Sequence, residues 1–151
     1  MIPALNTLQI KKILSAHAKK SFRNITARGK LPTVIHNFPS FYLINTDYYY
    51  SKGVHWLFIG FFKKYTLFFD SFGLSPVYYN FPIIVKQRGV PLVQNTLKLQ
   101  GKSSACGYYC IYFIYFLSRG FEFYEILQHF SKSNRKLNDK YVYNFVKNLQ
   151  K

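Results

Sequence analysis

The chain of 151 residues predicts an α+β fold, and three observations carry that prediction. Two near-continuous apolar runs, Val54 to Phe62 and Tyr65 to Phe69, are short and rich in aromatic and β-branched residues, as strands buried on both faces are. The segment Ala105 to Ser118 is apolar on every side and ends at Arg119-Gly120, the pattern of a buried central helix. Amphipathic segments at both ends of the chain supply helices to pack against the sheet. Hydrophobic residues make up 49% of the chain and aromatic residues 21%, enough for a real core in a single domain spanning 1–151.

In order along the chain, Asn6 or Thr7 caps a first helix that runs to about Lys19, with Leu8, Ile13, Leu14 and Ala18 on its apolar face. Arg28 to Pro32 and Asn37-Phe38-Pro39 carry loop signals. Phe41 to Asn45 reads as a strand, followed by a turn from Asp47 to Gly53. The two apolar runs are separated by Lys63-Lys64 and pair as a hairpin. Ser75-Pro76 opens a helix that extends to about Gln87, because proline suits the first helical position. Leu92 to Leu99 reads as another strand, and helices near Phe121 to Phe130 and Asp139 to Gln150 follow the central one.

Composition excludes several classes of function. The longest apolar stretches fall short of the ~20 residues that span a bilayer, and Lys11, Lys12, Lys19 and Lys20 interrupt the N-terminal region before any signal-peptide core. A soluble, non-secreted protein is expected. Cys106 and Cys110 lie one helical turn apart, a poor geometry for a disulfide. The histidines His17, His36, His55 and His129 are scattered, so no metal is expected. Lys and Arg number 21 against five acids, a formal net charge of +16. Such a surface attracts polyanions through counterion release, so non-specific DNA is an expected partner. Lys11, Lys12, Lys19, Lys20, Arg23, Lys63, Lys64, Lys132, Arg135 and Lys136 are the candidate contacts, against the plainer reading of a solubilising coat.

The chemistry concentrates around Cys106. A thiol at a helix N-terminus, beside an imidazolium, becomes a good nucleophile, and Cys106 opens the central helix just after the polar loop Gly101 to Ser104. Gly107 would let a substrate backbone approach. Among the histidines only His55 opens a core strand, where a rigid backbone can hold a general base. Asp70 ends the strand paired with that of His55 and would orient the imidazole, with Asp47 as the weaker rival. The backbone N–H of Cys106 and the side-chain amide of Gln100 are candidate donors to an oxyanion, in preference to Gln94. Trp56 is assigned to the core, and Cys110 reads as an ordinary buried cysteine.

The order His, acid, Gln, Cys resembles the adenovirus protease (adenain) family, which is related to the ubiquitin-like-protein proteases. The matching segments are Gly53-Val54-His55-Trp56, the aromatic strand into Asp70 with Phe72-Gly73 after it, Gln100-Gly101, and Ser104-Ala105-Cys106-Gly107. Leu43-Ile44-Asn45-Thr46 also resembles that family's strand before the histidine. The resemblance implies a permuted papain-like fold in which His precedes Cys, with His55, Asp70 and Cys106 as the triad and Gln100 as the oxyanion glutamine. It implies cleavage of viral precursor proteins at glycine-containing sites during particle maturation, in the virion and the infected-cell interior (nucleus or virus factory). DNA is implied as a polyanionic activator; the chemistry requires no cofactor. An activating peptide is the further implied partner, but no cysteine lies between Asp70 and Gln100 to tether one. The acid is Asp rather than Glu, and the chain is shorter than adenoviral members, which suits a divergent DNA virus, virophage or virus-like transposon. Two alternatives carry the same residues: a deubiquitinase- or deSUMOylase-like isopeptidase, and a non-enzymatic basic nucleic-acid-binding virion protein.

Overall fold

A computed structural model describes residues 1–26, 30–46, 55–79 and 88–151. Five strands form one mixed sheet in the order β1-β2-β3-β4-β5: β1 (Phe22–Thr26), β2 (Ser40–Asn45), β3 (Trp56–Phe61), β4 (Thr66–Phe69) and β5 (Leu92–Gln94). The central pairs β2/β3 and β3/β4 are antiparallel, and the outer pairs β1/β2 and β4/β5 are parallel. The described helices are α1 (Thr7–His17), α2 (Cys106–Leu117), α3 (Phe123–Leu127) and α4 (Arg135–Leu149). The expected α+β architecture is present, with the predicted hairpin as β3 and β4.

Side-chain alternation divides the core in two. Phe41, Leu43, Trp56, Phe58, Leu67 and Phe69 face α1 and α2, whereas Ile44, Leu57, Ile59, Phe61 and Phe68 face the other way. Every residue of β3 and β4 is buried, as the unbroken apolar runs require. Leu31, Ile35, Tyr42, Tyr79 and Leu92 pack against the second face. Among the described residues the cover on that side comes from loop, strand and the short 3-10 turn that holds Tyr79.

Helix α2 passes through the middle of the larger core, touching α1, β3, α3 and α4. Its Phe113 is fully buried, with ring centroids 4.3 Å from Phe69 and 5.6 Å from both Phe123 and Phe130. Removing that ring leaves a cavity that several aromatic neighbours cannot fill together. Phe113→Ala should therefore cost about 3–5 kcal/mol, read as a lowered midpoint in urea unfolding; a loss under ~1 kcal/mol would contradict this packing.

Several boundaries and faces depart from the sequence reading. Asn6 caps α1 in a reciprocal capping box with Gln9, but the buried face is Ile10, Ile13 and Leu14, and the helix ends at His17 rather than Lys19. Leu8 is 76% exposed, because it lies roughly opposite Ile10 around the helix axis. Strand β1, with only Phe22 buried, is an unpredicted edge strand. β5 stops at Gln94 instead of Leu99, because the Asn95 side chain turns to bond the backbone of Asp70. Pro76–Tyr79 is a 3-10 turn; the remainder of the expected helix through Gln87, like the Asp47–Gly53 turn, lies outside the described residues. α3 is shorter than Phe121 to Phe130, and α4 begins at Arg135, capped by Asn134 rather than started by Asp139.

Candidate active site

His55 immediately precedes β3 and Asp70 immediately follows β4. The antiparallel register pairs Phe58 with Phe69, so its continuation sets Asp70 diagonally across from His55. The side chains meet there: His55 Nε2–H donates to Asp70 Oδ1 at 2.6 Å. Asp70 is fully buried, and its carboxylate also accepts from Phe72 N–H (3.0 Å), Leu74 N–H (3.1 Å) and the Tyr79 hydroxyl (2.7 Å). This turn requires Gly73, with φ of +76°, where a Cβ would lie 2.7 Å from the Thr96 carbonyl oxygen. Above the imidazole, the Phe72 ring stacks at 4.7 Å and 21°.

The site's electrostatics favour an imidazolium. Burial pushes the His55 pKa down, but hydrogen bonds to Asp70 and to Cys106, with the negative charge of both partners, outweigh it and raise the value to about 9. Burial pushes Asp70 the other way, yet His55, Tyr79 and the Phe72 amide together hold its carboxyl below the ordinary value of 3.8. With Nε2 engaged by Asp70, Nδ1 is the ring atom left to serve a thiol.

Cys106 is the first residue of α2, 5% exposed, where backbone N–H groups lack intrahelical partners. The backbone N–H of Trp56 donates to its Sγ at 3.4 Å, so the residue after the histidine reaches the sulfur directly. The Trp56 indole N–H donates to the Leu5 carbonyl at 3.2 Å, and the Cys110 thiol donates to the Trp56 carbonyl at 3.5 Å. Neither cysteine forms a disulfide; Cys110 is completely buried, which pushes its thiol pKa well up. Gly107 serves packing rather than substrate access: a Cβ there would lie 3.3 Å from both Ile10 and Trp56.

Gln100 is 1% exposed. Its Oε1 accepts from the Ser71 hydroxyl at 2.6 Å, and its Nε2 donates to the Ser103 carbonyl at 2.7 Å, leaving a second amide hydrogen. The backbone of Ser71 also accepts from the N–H groups of Leu99 (2.9 Å) and Gln100 (3.1 Å). From α4, Asp139 accepts from Gly101 N–H, the Ser103 hydroxyl and the Tyr109 hydroxyl. Asn138 donates to the Leu99 carbonyl at 3.1 Å.

The structure thus brings together His55, Asp70 and Cys106, and ties Gln100 into the loop leading to Cys106. Sequence reading missed Ser71, Tyr79, Asn95 and Asp139; the one signal available for Asp139 was the scarcity of acids, which makes any buried carboxylate conspicuous. Gln94 lies on β5, and Asp47 falls outside the described residues. The other histidines are engaged elsewhere or lie in loop: His17 with the Leu149 carbonyl, His129 with the Tyr112 hydroxyl, and His36 between β1 and β2. Among the described residues no three His, Cys, Asp or Glu side chains gather as a metal site, and no helix is long and apolar enough to cross a membrane.

All ten candidate nucleic-acid contacts are exposed. They are distributed over α1 and its exit (Lys11, Lys12, Lys19, Lys20), β1 (Arg23), the β3–β4 turn (Lys63, Lys64) and the start of α4 (Lys132, Arg135, Lys136). Two also serve the fold: Arg23 donates to the Ser40 hydroxyl and Arg135 to the Lys98 carbonyl.

No protein-family profile matches the chain, and no curated protein matches its sequence. Among solved structures, the crystal structure of the selenomethionine form of the ASFV pS273R protease is similar, with a TM-score of 0.61 and 16% sequence identity. The match covers 95% of this chain and 66% of that one, so the chain spans a little under two thirds of that protease's length. Nearly the whole chain therefore has the α+β fold of the ASFV pS273R protease, at an identity that speaks for the fold alone.

Proposed function

We propose that this chain is a cysteine endopeptidase in which Cys106 is the nucleophile, His55 the general base and acid, Asp70 the residue orienting the imidazole, and Gln100 with the Cys106 N–H the oxyanion donors. One observation carries the reading: a single imidazole hydrogen-bonds a buried carboxylate at 2.6 Å, and the backbone N–H of the next residue reaches the Cys106 sulfur at 3.4 Å. In the reaction the Cys106 sulfur attacks the scissile carbonyl carbon, and the carbonyl electron pair moves onto oxygen. Collapse of that intermediate expels the amine, which takes its proton from His55; water, deprotonated by His55, then releases the acyl group from sulfur. Likeness in fold to a protease supports this class of reaction.

The finer reading is an adenain-like maturation protease that cuts virion precursors near glycine, inside the virion and the infected cell, with DNA as a non-specific activator. Its supports are the local motifs around His55, Gln100 and Cys106 and the net charge of +16. The relation to ubiquitin-like-protein proteases keeps the isopeptidase reading as the second choice, and a glycine-ended modifier probe separates the two. The deciding experiment is incubation with candidate precursor proteins, with and without DNA, followed by mass-spectrometric mapping of new termini. Cys106→Ala should abolish every new terminus while leaving the circular dichroism spectrum unchanged. Cleavage retained in that variant would end the reading.

A further inference from the structure

Two carboxylates among the described residues are buried, Asp70 and Asp139. Asp70 serves the imidazole. Asp139, 4% exposed, sits one turn into α4, and among the described residues its partners are neutral donors, although the chain carries 21 Lys and Arg. Both its oxygens accept from the Gly101 N–H at 3.1 Å; Oδ2 accepts from the Ser103 hydroxyl at 2.7 Å and Oδ1 from the Tyr109 hydroxyl at 2.7 Å. A buried carboxylate is costly to desolvate, and one that binds only neutral donors acts by fixing their geometry. Gly101 is the residue after Gln100, and Ser103 is the residue whose carbonyl receives the Gln100 amide. Ser71 thus holds the Oε1 end of the Gln100 amide, and Asp139 holds the residue that receives its Nε2 end. The fit is close: a Cβ at 101 would lie 3.0 Å from Asp139 Oδ2, so a larger residue there would have to displace the carboxylate slightly.

We infer that Asp139 is a positioning residue for oxyanion stabilisation. Through Gly101 and Ser103 it holds the Gln100 amide, and the turn that leads into the Cys106 N–H, at the place where negative charge develops. The inference rests on the endopeptidase reading and adds to it a role for α4. A misaimed donor loses part of what a deleted one loses, and deletion of one oxyanion donor costs on the order of 10²–10³ in kcat.

The test compares two reactions of the same thiol. A peptide aldehyde forms a hemithioacetal: a bond forms between Sγ and the carbonyl carbon, the π pair moves to oxygen, and that oxygen takes a proton from His55. Iodoacetamide alkylates at a saturated carbon, where the carbon–iodine bond breaks, iodide leaves and no oxyanion arises. Asp139→Asn should lower kcat on the order of 10–100-fold, with KM within about twofold, and weaken the aldehyde by a similar factor. The rate of Cys106 alkylation and its pH profile should match the wild type. Ser103→Ala should cost a few-fold, and the double variant should be no worse than Asp139→Asn, because both act through one chain of contacts.

Equal losses in hydrolysis and alkylation would overturn the inference, since Asp139 would then act on the fold or on the nucleophile. Unchanged hydrolysis and aldehyde affinity would overturn it as well. A wild-type protein that neither hydrolyses peptides nor binds the aldehyde would sink the endopeptidase reading instead. Hydrogen exchange at the Gly101 amide then decides for Asp139. Exchange at least tenfold faster in Asp139→Asn, with the α2 amides unchanged, supports the positioning role, and unchanged exchange overturns it.

Discussion

His55→Ala should reduce peptide hydrolysis by on the order of 10⁴-fold or more and remove the fast alkylation of Cys106 at mildly acidic pH. An ordinary thiol is mostly protonated below about pH 8 and reacts slowly. Beside Cys106, however, stands an imidazole whose pKa is pushed up to about 9 by Asp70 and by the sulfur itself, against the opposing effect of burial. At pH 6 that ring is cationic and places a full positive charge beside the sulfur. Without it, the Trp56 N–H at 3.4 Å and the start of α2 still face the sulfur, and neither carries a full charge. Iodoacetamide labelling at pH 6, followed by mass spectrometry, measures the effect. Cys110 does not confuse it, because that thiol is completely buried with its pKa pushed up. Equal labelling rates in the variant and the wild type would refute the pairing of the two side chains.

Asp70→Asn has the second largest expected effect, on both activity and stability. The carboxylate accepts from four donors: His55, the Phe72 and Leu74 amides and the Tyr79 hydroxyl. An amide at the same place turns an NH₂ toward at least one of those donors and leaves it unpaired in a buried setting. Loss of about 2–4 kcal/mol at neutral pH and a fall in hydrolysis of about 10²–10⁴-fold should result, because the imidazole loses both its orientation and its countercharge.

The pH dependence of that stability has a definite sign. His55 has a folded pKa raised from 6.5 to about 9, so its contribution is fully present below 6.5 and fades as pH rises toward 9; at its full size it is on the order of 3 kcal/mol. Asp70 has a lowered folded pKa, so its contribution is present above 3.8 and fades as pH falls below that. The stability gap between wild type and Asp70→Asn should therefore be widest between pH 4 and 6.5 and narrow toward pH 9. Denaturant unfolding across that range measures it, and a gap that widens toward pH 9 would refute the assignment.

Features written in local pattern were legible without coordinates. The β3–β4 hairpin appears as two apolar runs around Lys63-Lys64, and α2 as a helix apolar on all sides. Asn6 announces its cap through its own chemistry and that of Gln9. Where a face had to be chosen, local pattern was less informative: Leu8 and Ile10 are equally apolar, and only the position of α2 decides which is buried. β1 carries too little apolar signal to declare itself, since an edge strand buries one side and takes its pairing from β2. β5 is shortened by a long-range contact, Asn95 with Asp70, that no window of neighbouring residues contains.

The same division runs through the site. Sequence alone determined which residue types are present, in what order, and at which ends of which elements: a histidine before a core strand, an acid after its partner strand, a cysteine opening the buried helix. The acids are so few that Asp70 had a single weaker rival, Asp47, on the sequence reading. Tertiary structure alone decided how those ends converge, because side-chain distances across the fold depend on sheet register and helix packing rather than on spacing in the chain. It also decided what supports them: Ser71 on Gln100, Asp139 on Gly101 next to it, Tyr79 on Asp70, and Trp56 turning its backbone N–H onto sulfur. A hydrogen bond from α4 to a loop nearly forty positions earlier leaves no periodicity, motif or composition in the sequence, so only the folded chain reveals it.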